Sequence, residues 1–327
     1  MKHITHWIAG KPWDAKPERS DNLRAMRARS MALLGLFGLF GCGGDDGGGG
    51  MTDDVLDPPP PEGGQQLTTT EYTLEPGEEK YLCWTWDSPS DGERAITEIV
   101  PIAGPVVHHI VLVKTRQREA EAHFECNELL STNWEPIWAS GAGSNTLTMP
   151  EGVGFKVQPG SQYLVQLHLL NSSEGTVSER MGINLRYAPD AGAIIPAGFY
   201  PQGSFQTRIP AEETEYTQTI ECPVDREMNV FAVFPHMHKI GRRMTVEAGA
   251  TSDSMEMMYM IDPWAFGDQP FDLVDFRVTS GTRVKTSCTW LNDTGAEVTF
   301  GESTFNEMCF SMLFYYPFSD LVLCIDP

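Results

Sequence analysis

From Thr68 onward the chain is a succession of short runs rich in Val, Ile, Thr, Tyr and Phe, broken by Gly, Pro, Asn and Asp. Residues in a strand alternate between two faces, and turn formers at such short spacing leave no room for long helices. The runs Val106–Lys114, Gly154–Val157, Gln162–Leu170, Met181–Tyr187, Val230–Phe234, Arg243–Ala248, Arg283–Leu291 and Phe310–Tyr316 are predicted strands. Apolar residues never keep a helical period beyond a turn or two, so the predicted class is all-β, a sandwich or jelly roll. A length of 327 residues suits two such units. The segment 188–200 (APDAGAIIPAGFY) is the predicted connection, giving one unit over residues 68–189 and another over 190–327.

The N-terminal region has a different character. Arg27 and Arg29 precede the apolar run Met31–Gly41, which ends at Cys42. That run is too short to span a bilayer and suits the core of a signal peptide. Leu39-Phe40-Gly41-Cys42 resembles a bacterial lipobox, so residues 1–41 are predicted to be leader, with Met26 or Met31 as initiator, and Cys42 the lipidated N-terminus. The protein is thereby expected to be an exported lipoprotein of the outer membrane, attached through its lipid anchor alone. Residues 42–67, Gly-, Asp- and Pro-rich, are predicted to be a disordered tether. The formal charge of -22 disfavours a nucleic-acid partner, whose phosphates call for the opposite sign. Six cysteines follow Cys42, namely Cys83, Cys126, Cys222, Cys288, Cys309 and Cys324. An even count in an oxidising compartment implies up to three disulfides, and no CxxC pair is present to build a structural zinc site.

Histidine carries the chemistry. Of the eight in the chain, His3 and His6 lie in the leader, and five of the other six sit in strand-like motifs: VVHHI (His108, His109), QLHLL (His168) and PHMHK (His236, His238). Only His123 falls outside. His236 and His238, one residue apart, share a strand face as a chelating pair should, with Met237 directed into packing. His108 and His109 would face opposite sides of a regular strand, so joint ligation needs a rim or a local irregularity. A later methionine, Met308 in NEMC, can complete the second set. Imidazole serves several metals, whereas a thioether selects soft Cu(I). Zinc with a bound water would explain the three-histidine set but leaves Met308 unexplained. The residues therefore point to two copper ions. A His₃ set suits an electron-holding copper, and a His₂Met set favours the reduced state with a position open for O₂.

With these motifs in order, the chain resembles the copper type II, ascorbate-dependent monooxygenases, which include peptidylglycine α-hydroxylating and dopamine β-monooxygenases. The anchors are Tyr81-Leu-Cys83, Val107-His108-His109-Ile-Val-Leu, Pro150-Glu-Gly-Val-Gly-Phe-Lys156, Gln166-Leu-His168, Ile195-Pro-Ala-Gly-Phe-Tyr200, Phe231 through Gly241, and Asn306-Glu-Met308-Cys309 through Tyr316. The resemblance implies two tandem jelly-roll-like antiparallel sandwiches, each holding one copper, facing each other across a solvent-filled cleft. It implies His108, His109 and His168 as ligands of the electron-transfer copper and His236, His238 and Met308 as ligands of the oxygen-activating copper. Gln166 would lie near the first copper and help order the cleft. Cys222 with Cys324, and Cys288 with Cys309, match two bridges of the family's second domain; Cys83 and Cys126 remain in the first and are expected to pair.

The expected activity is hydroxylation of a C–H bond in a small organic substrate, using O₂ and two electrons from ascorbate or another reductant. Where peptide-hydroxylating relatives carry a substrate-anchoring arginine and tyrosine, this chain has Phe234 and Met312. Those departures argue against a peptidyl-glycine substrate and leave an apolar or amine-bearing one. The rival expectations are a copper-binding lipoprotein that stores, senses or transfers the metal, and a structural sandwich with relict ligands. The methionines of Met255-Glu-Met257-Met258-Tyr-Met260 are read as packing, with Met258 and Met260 on one strand face and Met255 and Met257 on the other. Trp264 and Phe266 are candidates for the domain interface or the substrate entry.

Overall fold

The structure, a computed structural model, describes residues 55–126, 131, 133–141, 146–211 and 214–326. The predicted leader and Cys42 lie outside the described residues. Among those described, the regular elements are β-strands and two 3₁₀ turns, so the chain is all-β. The predicted strands are present with ends moved by a residue or two, and three of them, Gln162–Leu170, Arg283–Leu291 and Phe310–Tyr316, have the predicted ends.

Among the described residues, two pairs of large sheets, with two two-stranded ribbons beside them, build the fold. In the first half, a five-stranded sheet runs in the order His123–Glu125, Glu79–Asp87, Gln162–Leu170, Val107–Thr115, Trp134–Gly141. Behind it lies a sheet containing Gln65–Thr68, Gly182–Tyr187, Arg94–Ile102 and Val153–Val157. Alternation explains the layer between them: Leu82, Leu112 and Leu167 from one sheet and Ile96, Ile99 and Leu185 from the other share one buried cluster. In the second half, the order Asp272–Val278, Met228–His236, Phe310–Tyr316, Gly198–Ser204, Cys324–Asp326 forms one sheet. Glu215–Pro223, Arg283–Leu291, Gly241–Gly249 and Glu256–Ile261 form the other.

The Phe310–Tyr316 strand explains how the halves join. Its residues are buried on both faces (only Tyr316 is partly exposed), as in a strand covered from both sides. Leu313 and Tyr315 point into the second half's own core, with Val230, Val246 and Trp290. Phe310, Met312 and Phe314 point the other way and belong to the cluster that fills the first half. The apolar layer is therefore continuous between the halves.

Three sequence expectations change. The tether predicted over residues 42–67 ends earlier, because Gln65–Thr68 pairs with Gly182–Tyr187 and Leu67 is fully buried. The Asn184 side chain also donates to the carbonyls of Pro58 and Pro59, which fastens the proline run to the sheet. Within the predicted connection, Ile195–Pro196 pairs in parallel with Val153 and Gly154, so its middle belongs to a sheet of the first half. In the methionine strand, Met258 is buried while Met257 and Met260 are exposed. A register shift between Val246 and Glu247 opposite that strand breaks the simple alternation.

Candidate metal centre

The two five-stranded sheets turn their outer faces toward each other, and the six residues expected to hold metal lie there. His108, His109, His168, His236, His238 and Met308 are each no more than 8% exposed. On the first sheet His109 is directly opposite His168, but the next pair joins Val107 to Leu169, so His108 is the extra residue of a bulge. A bulge sets two neighbouring residues against one and re-aims the extra side chain. It supplies the irregularity that adjacent histidines need. The ligating nitrogens of His108, His109 and His168 lie within 4.8 Å of one another. His109 Nδ1 and His168 Nδ1 are 3.2 Å apart. Donors on a metal with bonds of about 2 Å are separated by roughly that distance.

The residues next to this trio orient it. Glu79 Oε1 accepts from His168 Nε2 at 2.7 Å, which puts the proton on Nε2 and leaves Nδ1 with its lone pair. Tyr81 stacks on the His168 ring at 4.3 Å and 3°. Its hydroxyl donates to the Glu302 carbonyl, so it spans the two halves. The His168 contact is also the main reason the Glu79 carboxyl lies below its ordinary range. Gln166 is fully buried on the His168 face, and its amide donates to the Cys126 carbonyl at 3.0 Å. It ties the strand to the Cys83–Cys126 disulfide.

In the second set, His236 ends its strand opposite Phe310, which places Met308 and His238 just beyond that last pair of an antiparallel ladder. Met237 points away into the second core. Gln269 Oε1 accepts from His236 Nδ1 at 2.7 Å, and the Asn306 carbonyl accepts from His238 Nδ1 at 3.1 Å. Both rings therefore keep Nε2 free for a ligand, and His236 Nε2 is buried without a hydrogen-bond partner. Glu307 holds the backbone of this corner. Its carboxylate accepts from the amides of His238, Ile240 and Met308 and from the Trp290 indole. Burial raises its pKa to about 7 in spite of those four donors. The Cys288–Cys309 disulfide fixes the residue after Met308, and Cys222–Cys324 closes the same half.

Burial also keeps the imidazoles of His108, His109, His236 and His238 neutral. It lowers the pKa of His108 and His236 to about 3 and of His238 to about 4, and puts His109 well below its ordinary value. Neutral, buried imidazoles with unshared lone pairs are the form in which histidine ligates metal. The donor chemistry thus fits copper in both sets.

The expected solvent-filled cleft is not what the structure shows. The rings of His109 and His236 are 5.5 Å apart, edge to face. The reason is the apolar character of both faces: Val111 and Trp138 on one side and Phe199, Phe234, Met312 and Phe314 on the other are drawn together like any core. A narrow pocket with a free volume of ≈ 30 Å³ remains between them. The segment 262–270 straps the junction. Phe266 lies 4.4 Å from His108, Trp264 Nε1 donates to the His238 carbonyl, and Gln269 reaches His236. Gly141 permits this approach, because a Cβ there would come within 2.3 Å of Gln269. His123 stacks on Trp84 at 4.4 Å, away from both sets.

Glu79, Gln269 and Glu307 were not singled out from the sequence. Two of them carried a signal: Glu79 shares a strand face with Tyr81 and Cys83, and Glu307 adjoins Met308 in NEMC. Gln269 lies in an irregular segment and carried none.

Comparison with known proteins agrees with this geometry. Residues 193–327 match the family described as copper type II ascorbate-dependent monooxygenase, C-terminal domain. DBH-like monooxygenase protein 1 of Gallus gallus is 25% identical over 295 residues, which are 79% of this chain and 47% of that protein. The Mus musculus protein of that name is 28% identical over 283 residues, 75% of this chain and 45% of its own length. The Homo sapiens protein is 26% identical over 249 residues, 67% and 40% respectively. The chain thus spans less than half the length of these curated relatives. The second half is thus similar to the C-terminal domain of the copper type II ascorbate-dependent monooxygenases, and the similarity to the DBH-like proteins extends over both halves.

Proposed function

We propose that the protein is a copper-dependent monooxygenase that hydroxylates a C–H bond of a small organic molecule. In the balanced reaction, substrate, O₂, two electrons and two protons give hydroxylated product and water. Ascorbate or an equivalent reductant supplies the electrons. The observation that carries this reading is the meeting of two buried imidazole sets on facing sheet surfaces, with His109 and His236 in ring contact. His108, His109 and His168 would hold one copper, and His236, His238 and Met308 the other. When bound, the two ions supply one-electron transfer and the reduction of dioxygen.

The chain's own groups do the rest. Glu79 and Gln269 hold the protons of His168 and His236 on the nitrogens that face away from the metal positions. Glu307 fixes the backbone of His238 and Met308, so their donor atoms are positioned before any ligand arrives. The apolar residues between the sheets exclude water, which protects a reactive intermediate from side reactions. In this reading the two halves, divided just after Ile195–Pro196, are two tandem jelly-roll-like units, each holding one ion. The protein is exported and anchored through Cys42, and its three disulfides suit an oxidising compartment.

A second reading, a copper-storing or copper-transferring lipoprotein, draws on the burial of all six ligand residues. Incorporation of isotopically labelled O₂ into an organic product by the copper-loaded protein with ascorbate separates the two. Two bound coppers with no labelled product across a panel of C–H substrates would reject the monooxygenase.

A further inference from the structure

The pocket between the ligand sets has a chemistry of its own. Its wall runs from His109 and Trp138 on the first half to Phe234, His236, Met312 and Phe314 on the second. Val111, Pro136, Ala139 and Phe199 complete it. It contains no carboxylate, ammonium or guanidinium group. Charged groups beside the ligand residues are engaged elsewhere: Glu79 with His168, Glu307 with four donors, and Lys239 over the rings of Phe266 and Phe305. His236 Nε2 and His109 Nε2 are buried without hydrogen-bond partners on side chains that line this same pocket.

We infer that this pocket is the substrate subsite and that it takes the uncharged apolar end of a molecule, a short alkyl group or the edge of an aromatic ring, beside His236. This rests on the monooxygenase reading for the word substrate, but not for the ligand chemistry. A charged head would lose its hydration and meet no counter-charge among the lining side chains, which disfavours both ammonium and carboxylate groups in the metal-free pocket and ammonium in the copper-loaded one. An apolar group instead gains contact with aromatic and thioether surface. The free volume of ≈ 30 Å³ leaves room for about two water-sized groups, so the reactive end enters and the remainder lies toward the mouth. Phe234 and Met312 become specificity-determining residues, because a charge introduced at either would reverse the preference. An amine-bearing ligand, left open by the sequence, is disfavoured by this wall.

The test uses the full disulfide-bonded chain, metal-free and copper(I)-loaded, with three probes that share a ring: ethylbenzene, 2-phenylethylammonium and phenylacetate. Binding is read by saturation-transfer NMR and calorimetry, without turnover. Ethylbenzene should bind roughly tenfold or more tighter than either ion to the metal-free chain, and than 2-phenylethylammonium to the copper(I)-loaded one. Ala139→Leu, which fills the pocket, should remove that binding. Val111→Ala, a milder change, should improve butylbenzene relative to ethylbenzene. Equal or tighter binding of an ion in any of these comparisons, or no response to either variant, overturns the inference. Labelled oxygen entering a charged substrate without ethylbenzene binding would overturn the apolar class yet leave the monooxygenase standing. Ethylbenzene binding by a protein that takes up no copper would do the reverse.

Discussion

Glu79 accepts a 2.7 Å hydrogen bond from His168 Nε2, and this carboxylate–imidazole pair sits where the two halves of the molecule meet. A carboxylate in this position selects the tautomer and strengthens the nitrogen that faces the metal. Glu79→Ala should weaken copper at the His108/His109/His168 set by about 10–100-fold and leave the other set unchanged. Chelator competition on the purified protein measures this. Equal affinity in the variant would show that His168 needs no such partner.

Met308→Leu keeps the bulk of the side chain and removes its sulfur. Copper content should fall from two ions per chain to one, and labelled-oxygen incorporation should cease while the first set stays loaded. Retention of both ions with full turnover would remove Met308 from the ligand set.

Glu307 satisfies four buried donors at once, so truncation leaves several of them unpaired. Glu307→Ala should destabilise the protein by at least about 3 kcal/mol, and Glu307→Gln, which keeps one acceptor oxygen, by less. Denaturant unfolding of the metal-free chain gives both values. A loss under about 1 kcal/mol for the alanine variant would mean that water replaces the carboxylate.

Acid should unfold the metal-free protein through its histidines. His108, His109, His236 and His238 have folded pKa values below the ordinary one, so the unfolded chain binds protons first as pH falls. The stability they provide is complete above about pH 6.5 and is lost progressively toward pH 3–4, by up to about 1.4 kcal/mol per pH unit for each group. Glu307, raised to about 7, acts in the opposite sense because its folded form takes up a proton first, but it is one group against four. The thermal midpoint should therefore drop between pH 6.5 and 4. A flat profile over that range would contradict the burial of these imidazoles.

Much of this protein was legible along the chain because strands announce themselves locally. Gln162–Leu170 and Phe310–Tyr316 follow from β-branched and aromatic runs between turn formers, and the chelating order of His236 and His238 follows from the two-residue period. The sequence also marked His108 and His109 as needing an irregular strand, although not its form. Only the tertiary structure decided that His108 is the extra residue of a bulge opposite His168, since register belongs to a pair of strands. It alone brought Glu79 to His168 across 89 residues and Gln269 to His236 across 33. It also closed the two ligand faces on each other. Phe234 and Met312 could be read in advance as missing polar anchors, but burial against Val111 and Trp138 depends on surfaces that adjoin only after folding. Ligand identity was written in residue type and local period. The distance between the ligand sets was left to the packing of distant apolar side chains, which no local pattern encodes.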